Sequence, residues 1–269
     1  MSNIYPLILF VNPSLGTQRY TDEDKLRSYL SLGTLASALR NRAFLKRFAE
    51  RLGKKEIIID SESDYHLFDI VVLNLSLKPG RQSIQEYFSD FLTQFKQAPL
   101  MLCMTATSAH LDEAEEIART AKQMVPAALR IIGGPHVSVA AADFLNNSEF
   151  QVACIGEGVE TLSEIALLVS IVGNPDFSMI EGITFKHGNG RVYSNPLRVP
   201  LLALDEYPFP SDSLELFRGL TVDPAKSQNQ LIYILSGYGC PHDCIFCAQR
   251  SIHGRKIRER SAENIIAEI

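Results

Sequence analysis

Pro99-Leu100-Met101-Leu102-Cys103-Met104-Thr105 is an unbroken apolar run closed by threonine. Beyond it Leu111, Ala114, Ile117, Ala118, Ala121 and Met124 recur at helical spacing until Pro126. Leu129-Arg130-Ile131-Ile132-Gly133 is then apolar again. A strand without alternation is buried on both faces, and a helix between two such strands is the crossover that a parallel pair requires. The stretch therefore reads as strand, helix, strand, and it decides the fold: a parallel sheet covered by helices.

The same texture extends both ways. Further strands are expected at Tyr5–Asn12, Glu56–Asp60, Asp69–Leu75 and Phe150–Gly156. Ile84, Tyr87, Phe88, Phe91, Leu92 and Phe95 mark one more helix. Leu26 to Leu52 marks another, long enough that Gly33 is its candidate break, and Gly53 ends it. Six strands with intervening helices predict a doubly wound α/β domain over residues 1–175. Ligands on that architecture bind at the carboxyl ends of strands, which singles out the loops after Asn12, Thr105, Gly133 and Gly156.

After Val172 the pattern changes. Ile183–Lys186 and Arg191–Tyr193 flank Gly188-Asn189-Gly190 as a hairpin, and Pro196, Pro200, Pro208 and Pro210 follow in an extended connector. Residues 176–225 are read as this linker. The third segment, 226–269, holds the apolar run Leu231–Leu235, the sequence Gly237-Tyr238-Gly239-Cys240, and a helix opening at Ser261 with Glu263 in its first turn.

A net charge of −5 and a pI near 5.7 leave no basic field for a nucleic-acid backbone. The run Arg255-Lys256-Ile257-Arg258-Glu259-Arg260 reads as a solvated face or an anion contact. Tyr5–Val11 is too short to span a membrane and lacks the flanks of a leader, so a cytoplasmic chain with no membrane partner is expected. The five cysteines are unevenly placed. Cys103 and Cys154 each sit in an apolar run, as buried structural cysteines do, and a reducing cytosol fits the set better than a disulfide framework.

The other three stand in Cys240-Pro241-His242-Asp243-Cys244-Ile245-Phe246-Cys247. Chance gives that spacing in roughly 2 of 1,000 chains of this length and cysteine content. Three thiolates on one loop can hold three corners of a 4Fe-4S cubane and leave the fourth iron open. The competing reading is a zinc site with His242 or His253 as fourth ligand.

Strand, glycine turn, these cysteines and a following Arg250-Ser251 resemble the opening of a radical S-adenosylmethionine (SAM) barrel. Upstream, Gly133-Gly134-Pro135-His136, Gly156-Glu157-Gly158-Val159-Glu160 and Leu204-Asp205-Glu206-Tyr207-Pro208-Phe209-Pro210 resemble the cobalamin-dependent branch of that superfamily. The resemblance implies that Cys240, Cys244 and Cys247 bind the cluster, and that Phe246 lies against the adenine of SAM. It further implies cobalamin contacts from Thr105, Thr107, Gly133, Gly134, His136, Gly156 and Glu157. Those glycines also suit tight turns, the threonines helix caps, and Glu157 a helix N-terminus.

The D-x-H-x-x-G motif for a lower axial histidine is absent: Asn12-Pro13-Ser14-Leu15-Gly16 stands there, and Asp64-Tyr65-His66 lacks the glycine. The implied activity is cleavage of SAM to a 5′-deoxyadenosyl radical, serving methyl transfer to carbon in a small-molecule or natural-product substrate. A flavodoxin or ferredoxin would supply the electron. Radical rearrangement or cyclisation, and a truncated non-catalytic corrinoid-binding module, are the alternatives. A full barrel takes about 250 residues, so only its first strand and helix are expected here.

Overall fold

A computed structural model describes residues 5–12, 22–52, 67–75, 82–95, 97–172, 175–216 and 234–269. The apolar runs form strands β1 (Leu7–Asn12), β2 (Asp69–Asn74), β3 (Met101–Thr105), β4 (Leu129–Gly133) and β5 (Val152–Cys154). They pair in parallel in the order β2-β1-β3-β4-β5. From β1 the chain steps outward to β2, then crosses back over β1 to reach β3. That reversal is the switch point of the sheet, where neighbouring loops part and leave a crevice. The expected strand Glu56–Asp60 lies outside the described residues.

Alternate side chains of each strand enter opposite cores. Phe10, Cys103 and Cys154 face α1 (Asp22–Arg40), α2 (Arg42–Arg51) and α6 (Gly158–Ile171), packing with Leu39, Phe48 and Ile165. Leu9, Leu102 and Ile132 face the other way, onto α3 (Ile84–Leu92), α4 (Leu111–Met124) and α5 (Val137–Asn146), with Phe88, Ile117 and Leu145. The sheet is covered on both faces, as a doubly wound domain requires. Phe88 is fully buried in the second core. Phe88→Ala is expected to cost about 3–5 kcal/mol, read as a shift of the urea unfolding midpoint.

One expectation changes. The long first helix passes through Gly33 unbroken and ends at Arg40. The break is at Asn41, whose Oδ1 accepts from the Phe44 amide at 2.9 Å and so caps α2. The Gly33 carbonyl instead accepts from the fully buried Ser213 hydroxyl at 3.0 Å. The hairpin, β6 (Ile183–Lys186) and β7 (Val192–Ser194), joins the sheet: β6 pairs antiparallel with β5 and extends it to seven strands. Ile183 and Phe185 are the reason, since both bury in the first core.

The last segment forms a two-stranded ribbon of β8 (Gly237–Tyr238) and β9 (Arg258–Glu259), enclosing α7 (Gln249–His253). Helix α8 (Ala262–Glu268) follows, capped by Ser261, whose hydroxyl accepts from the Asn264 amide. Of the run expected as a barrel strand, Leu231–Tyr233 lies outside the described residues, and Ile234 and Leu235 belong to no strand.

Candidate functional site

A cavity of about 330 Å³ opens at the carboxyl ends of β1, β3, β4 and β5, between the sheet and helices α1 and α6. Phe10, Cys103, Ile131, Cys154 and Leu162 make an apolar interior, and Ser31, Thr34 and Thr105 add hydroxyls. Burial pushes the Cys103 thiol up, with Cys154 beside it adding to the effect. Burial likewise raises the Cys154 thiol, to about 12, against the pull of Arg198. Both remain neutral thiols, as their apolar sequence settings imply.

The rim is made by the two glycine loops. Gly134 has φ +102°, and a Cβ there would lie 2.7 Å from Thr105 Oγ1 and 2.8 Å from the Ala106 carbonyl oxygen. Gly156 has φ +78°, and a Cβ would stand 3.3 Å from the Ile252 carbonyl oxygen. Ser138 joins the loops: its hydroxyl donates to Gly134 O at 2.9 Å and accepts from the Gly156 amide at 3.1 Å. A backbone rim free of side chains lets a bulky group approach closely, and the interior admits a tail rather than a macrocycle. The residues fit a corrinoid on those terms.

Glu157 lines the cavity and also makes contacts of its own. It stands at the N-terminus of α6 with its carboxylate held in a buried clasp. Arg258 donates from Nη1 to Oε2 at 3.1 Å and from Nη2 to Oε1, while His253 Nδ1 lies 2.8 Å from Oε1. Arg258, only 2% exposed, also donates to the Leu201 carbonyl at 2.7 Å and lies over the Tyr238 ring. Tyr238 and His253 stack at 4.4 Å and, with Ile252, complete the cavity wall. Burial pushes the Glu157 carboxyl up, but the hydrogen bonds from His253 and Arg258 and their charge outweigh it and hold it below the usual range.

A depressed carboxylate stabilises above its unfolded pKa and loses that contribution as pH falls through the folded one. The clasp is therefore expected to be intact at neutral pH and to release below about pH 4. Near-UV circular dichroism from the stacked Tyr238 checks this, and Glu157→Gln should flatten the transition.

The cysteine loop borders a separate depression of about 600 Å³, lined by Cys240, Cys244, Cys247, Phe246 and, across from them, Val139 of α5. Cys244 and Cys247 are exposed. Gly239 (φ +95°) closes the loop, since a Cβ there would meet the Lys256 carbonyl. Among the described residues no three His, Cys, Asp or Glu side chains converge as a metal-holding set. The donors still fit an iron–sulfur cube held from one side: three accessible thiols share one depression, and Asp243 is engaged by Arg250 and Arg255. Of the histidines in the zinc reading, His242 lines the same depression and His253 lines the cavity, its Nδ1 paired with Glu157.

Of the residues singled out, Thr105, Gly133, Gly134, Gly156 and Glu157 line the cavity together. Thr107 and His136 do not: Thr107 Oγ1 pairs with His110 Nδ1, and His136 Nδ1 with Ser108 Oγ, both at 2.9 Å. Phe246 is 88% exposed beside the cysteines. Asp64–His66 lies outside the described residues. Sequence reading missed Ser138 and Tyr238, and it did not join His253 and Arg258 to Glu157. For Arg258 a signal existed: in Arg258-Glu259-Arg260 a strand period of two turns both arginines inward, and of the two readings of that run, solvated face or anion contact, Arg258 takes the second.

Comparison with known proteins bears on the family and the fold. The family described as B12 binding domain matches residues 48–166. An uncharacterised methyltransferase of Pyrococcus horikoshii is 29% identical over 185 residues, covering 68% of this chain and 39% of the relative. The chain thus spans about two-fifths of that relative's length. Among solved structures, the cobalamin-dependent SAM radical enzyme OxsB, with aqua-cobalamin and SAM bound, matches with a TM-score of 0.64 at 18% identity. The match covers 98% of this chain and 31% of OxsB. The radical SAM methyltransferase TsrM of Kitasatospora setae, with cobalamin and a [4Fe-4S] cluster, matches at 0.59 and 15% identity, covering 98% of this chain and 46% of its own. In sequence and in fold, the chain resembles cobalamin-dependent radical SAM enzymes. Among the described residues no helix is long and apolar enough to cross a membrane.

Proposed function

We propose that this chain is part of a cobalamin-dependent radical SAM methyltransferase. In this reading residues 1–175 hold the corrinoid, 176–225 link, and 226–269 open the SAM-cleaving domain. The observation that carries it is the adjacency of two dissimilar sites: a glycine-rimmed cavity at the sheet's switch point and a three-cysteine loop, sharing α7 as a wall. Loaded with its groups, such a site supplies reductive cleavage of SAM and a methyl group for transfer to carbon.

The chain's own residues bind and orient. Cys240, Cys244 and Cys247 would hold the cluster, and Phe246, on the same depression, would pack against the adenine of SAM. Thr105 would hydrogen-bond the corrinoid tail, and Gly133, Gly134 and Gly156 would admit its approach. Among the described residues His253 is the histidine lining the cavity, and its Nδ1 is engaged by Glu157. A small organic substrate and a flavodoxin or ferredoxin as electron donor complete the proposal.

The test is anaerobic reconstitution with iron, sulfide and hydroxocobalamin. Cluster and corrinoid at one per chain, with 5′-deoxyadenosine or S-adenosylhomocysteine formed from SAM, support the reading. Corrinoid without any iron–sulfur absorbance would reduce the chain to a corrinoid carrier.

A further inference from the structure

We infer that the Glu157–Arg258–His253 clasp is a positioning device coupling the cavity to the cysteine loop, so that a ligand seated in either tightens the other. The inference rests on the proposed reading of the two sites, and it uses contacts that reading does not need.

Helix α7 is the shared element. Gln249, Arg250 and Ser251 line the cysteine depression, whereas Ile252 and His253 line the cavity. Five residues do not sustain a helix alone, so its position is set by what holds its end. His253 is held three times: by Glu157 at Nδ1, by Arg258 Nη2 at its carbonyl (3.3 Å), and by the Tyr238 ring in a stack. Arg258 gathers the separate parts, since one planar guanidinium reaches Glu157, Leu201, His253 and Tyr238.

The other end of the linkage is the cavity rim. Glu157 follows Gly156 directly, and a Cβ on Gly156 would already crowd the Ile252 carbonyl. A group entering over Gly156 therefore moves the anchor of α7 or presses on α7 itself. The element has two discrete states, because a buried ion pair is either fully made or leaves a charge without its partner. Linkage then demands reciprocity: cluster assembly must favour the cavity's ligand as much as that ligand favours the loop.

Hydrogen–deuterium exchange in the full chain tests this. The reporters are the amides of Cys240, Gly254 and Arg260, bonded within the last segment, and those of Ile155 and Gly156 at the rim. The amides of Ala106 and Leu129 in the sheet region report that each variant is folded. Without ligand, Glu157→Gln and Arg258→Met should exchange the last-segment reporters about tenfold faster than wild type. Hydroxocobalamin should slow them about tenfold in wild type and leave them unmoved in both variants. Arg258→Lys, which keeps the charge without the fork, should behave as Arg258→Met.

Equal last-segment exchange in unliganded wild type and variants overturns the clasp. Equal slowing by hydroxocobalamin in wild type and variants overturns the coupling. If hydroxocobalamin does not bind wild type, the corrinoid reading fails separately, and iron–sulfide reconstitution decides the coupling. Reconstitution must slow Ile155 and Gly156 in wild type and not in Arg258→Met; an equal effect in both rejects the inference.

Discussion

Replacing any one of Cys240, Cys244 and Cys247 with alanine is expected to take reconstituted iron from about four per chain to near none. The reason is geometric as much as chemical. The three thiols lie on one depression, and two thiolates do not orient a cube. Cys103→Ala and Cys154→Ala should leave iron content unchanged, because both thiols are buried in the other cavity's interior with pKa values raised away from thiolate. Iron and sulfide assays on the five variants decide it. Loss of iron in Cys103→Ala or Cys154→Ala, or full retention in all three loop variants, removes the ligand assignment.

The contrast between the two cysteine groups was readable in the sequence, because apolar neighbours and tight spacing are local properties. So were the strands, where burial on both faces leaves an unbroken apolar run such as Met101–Met104. Local signals misled at Gly33. A glycine inside a helix costs only about 1 kcal/mol, which tertiary packing offsets, whereas the cap at Asn41 needed the Phe44 amide to be seen. The clasp was illegible for a different reason. Glu157 and Arg258 lie far apart in sequence, and a glutamate at a helix N-terminus or an arginine in a basic run gives no sign of its partner. The hairpin's docking was hidden likewise, since β6 shows only that it needs a neighbour and not that β5 supplies it.

Gly134→Val is expected to weaken hydroxocobalamin binding by at least about a hundredfold while the protein stays folded, with Gly134→Ala close behind. The paired glycines are not equivalent. A Cβ on Gly133 would find its nearest protein atoms at 3.9 Å, ordinary contact, so Gly133→Ala should leave the rim in place and weaken binding less than Gly134→Ala. At Gly134 two costs add. An L side chain at φ +102° is strained by about 1–3 kcal/mol. Its Cβ would also strike Thr105 Oγ1 at 2.7 Å and the Ala106 backbone at 2.8 and 3.0 Å, and backbone does not move aside cheaply. The loop must swing instead, breaking the Ser138 hydroxyl's bonds to Gly134 O and the Gly156 amide and so unseating both halves of the rim. Gly190→Ala separates strain from clash, because that hairpin glycine shares a positive φ (+80°) but has nothing within 4 Å of a Cβ. It should lose about 1 kcal/mol of stability with no change in affinity. Absorbance titration with hydroxocobalamin, alongside circular dichroism, makes the measurement. A folded Gly134→Val protein that binds as tightly as wild type would place the corrinoid away from this rim.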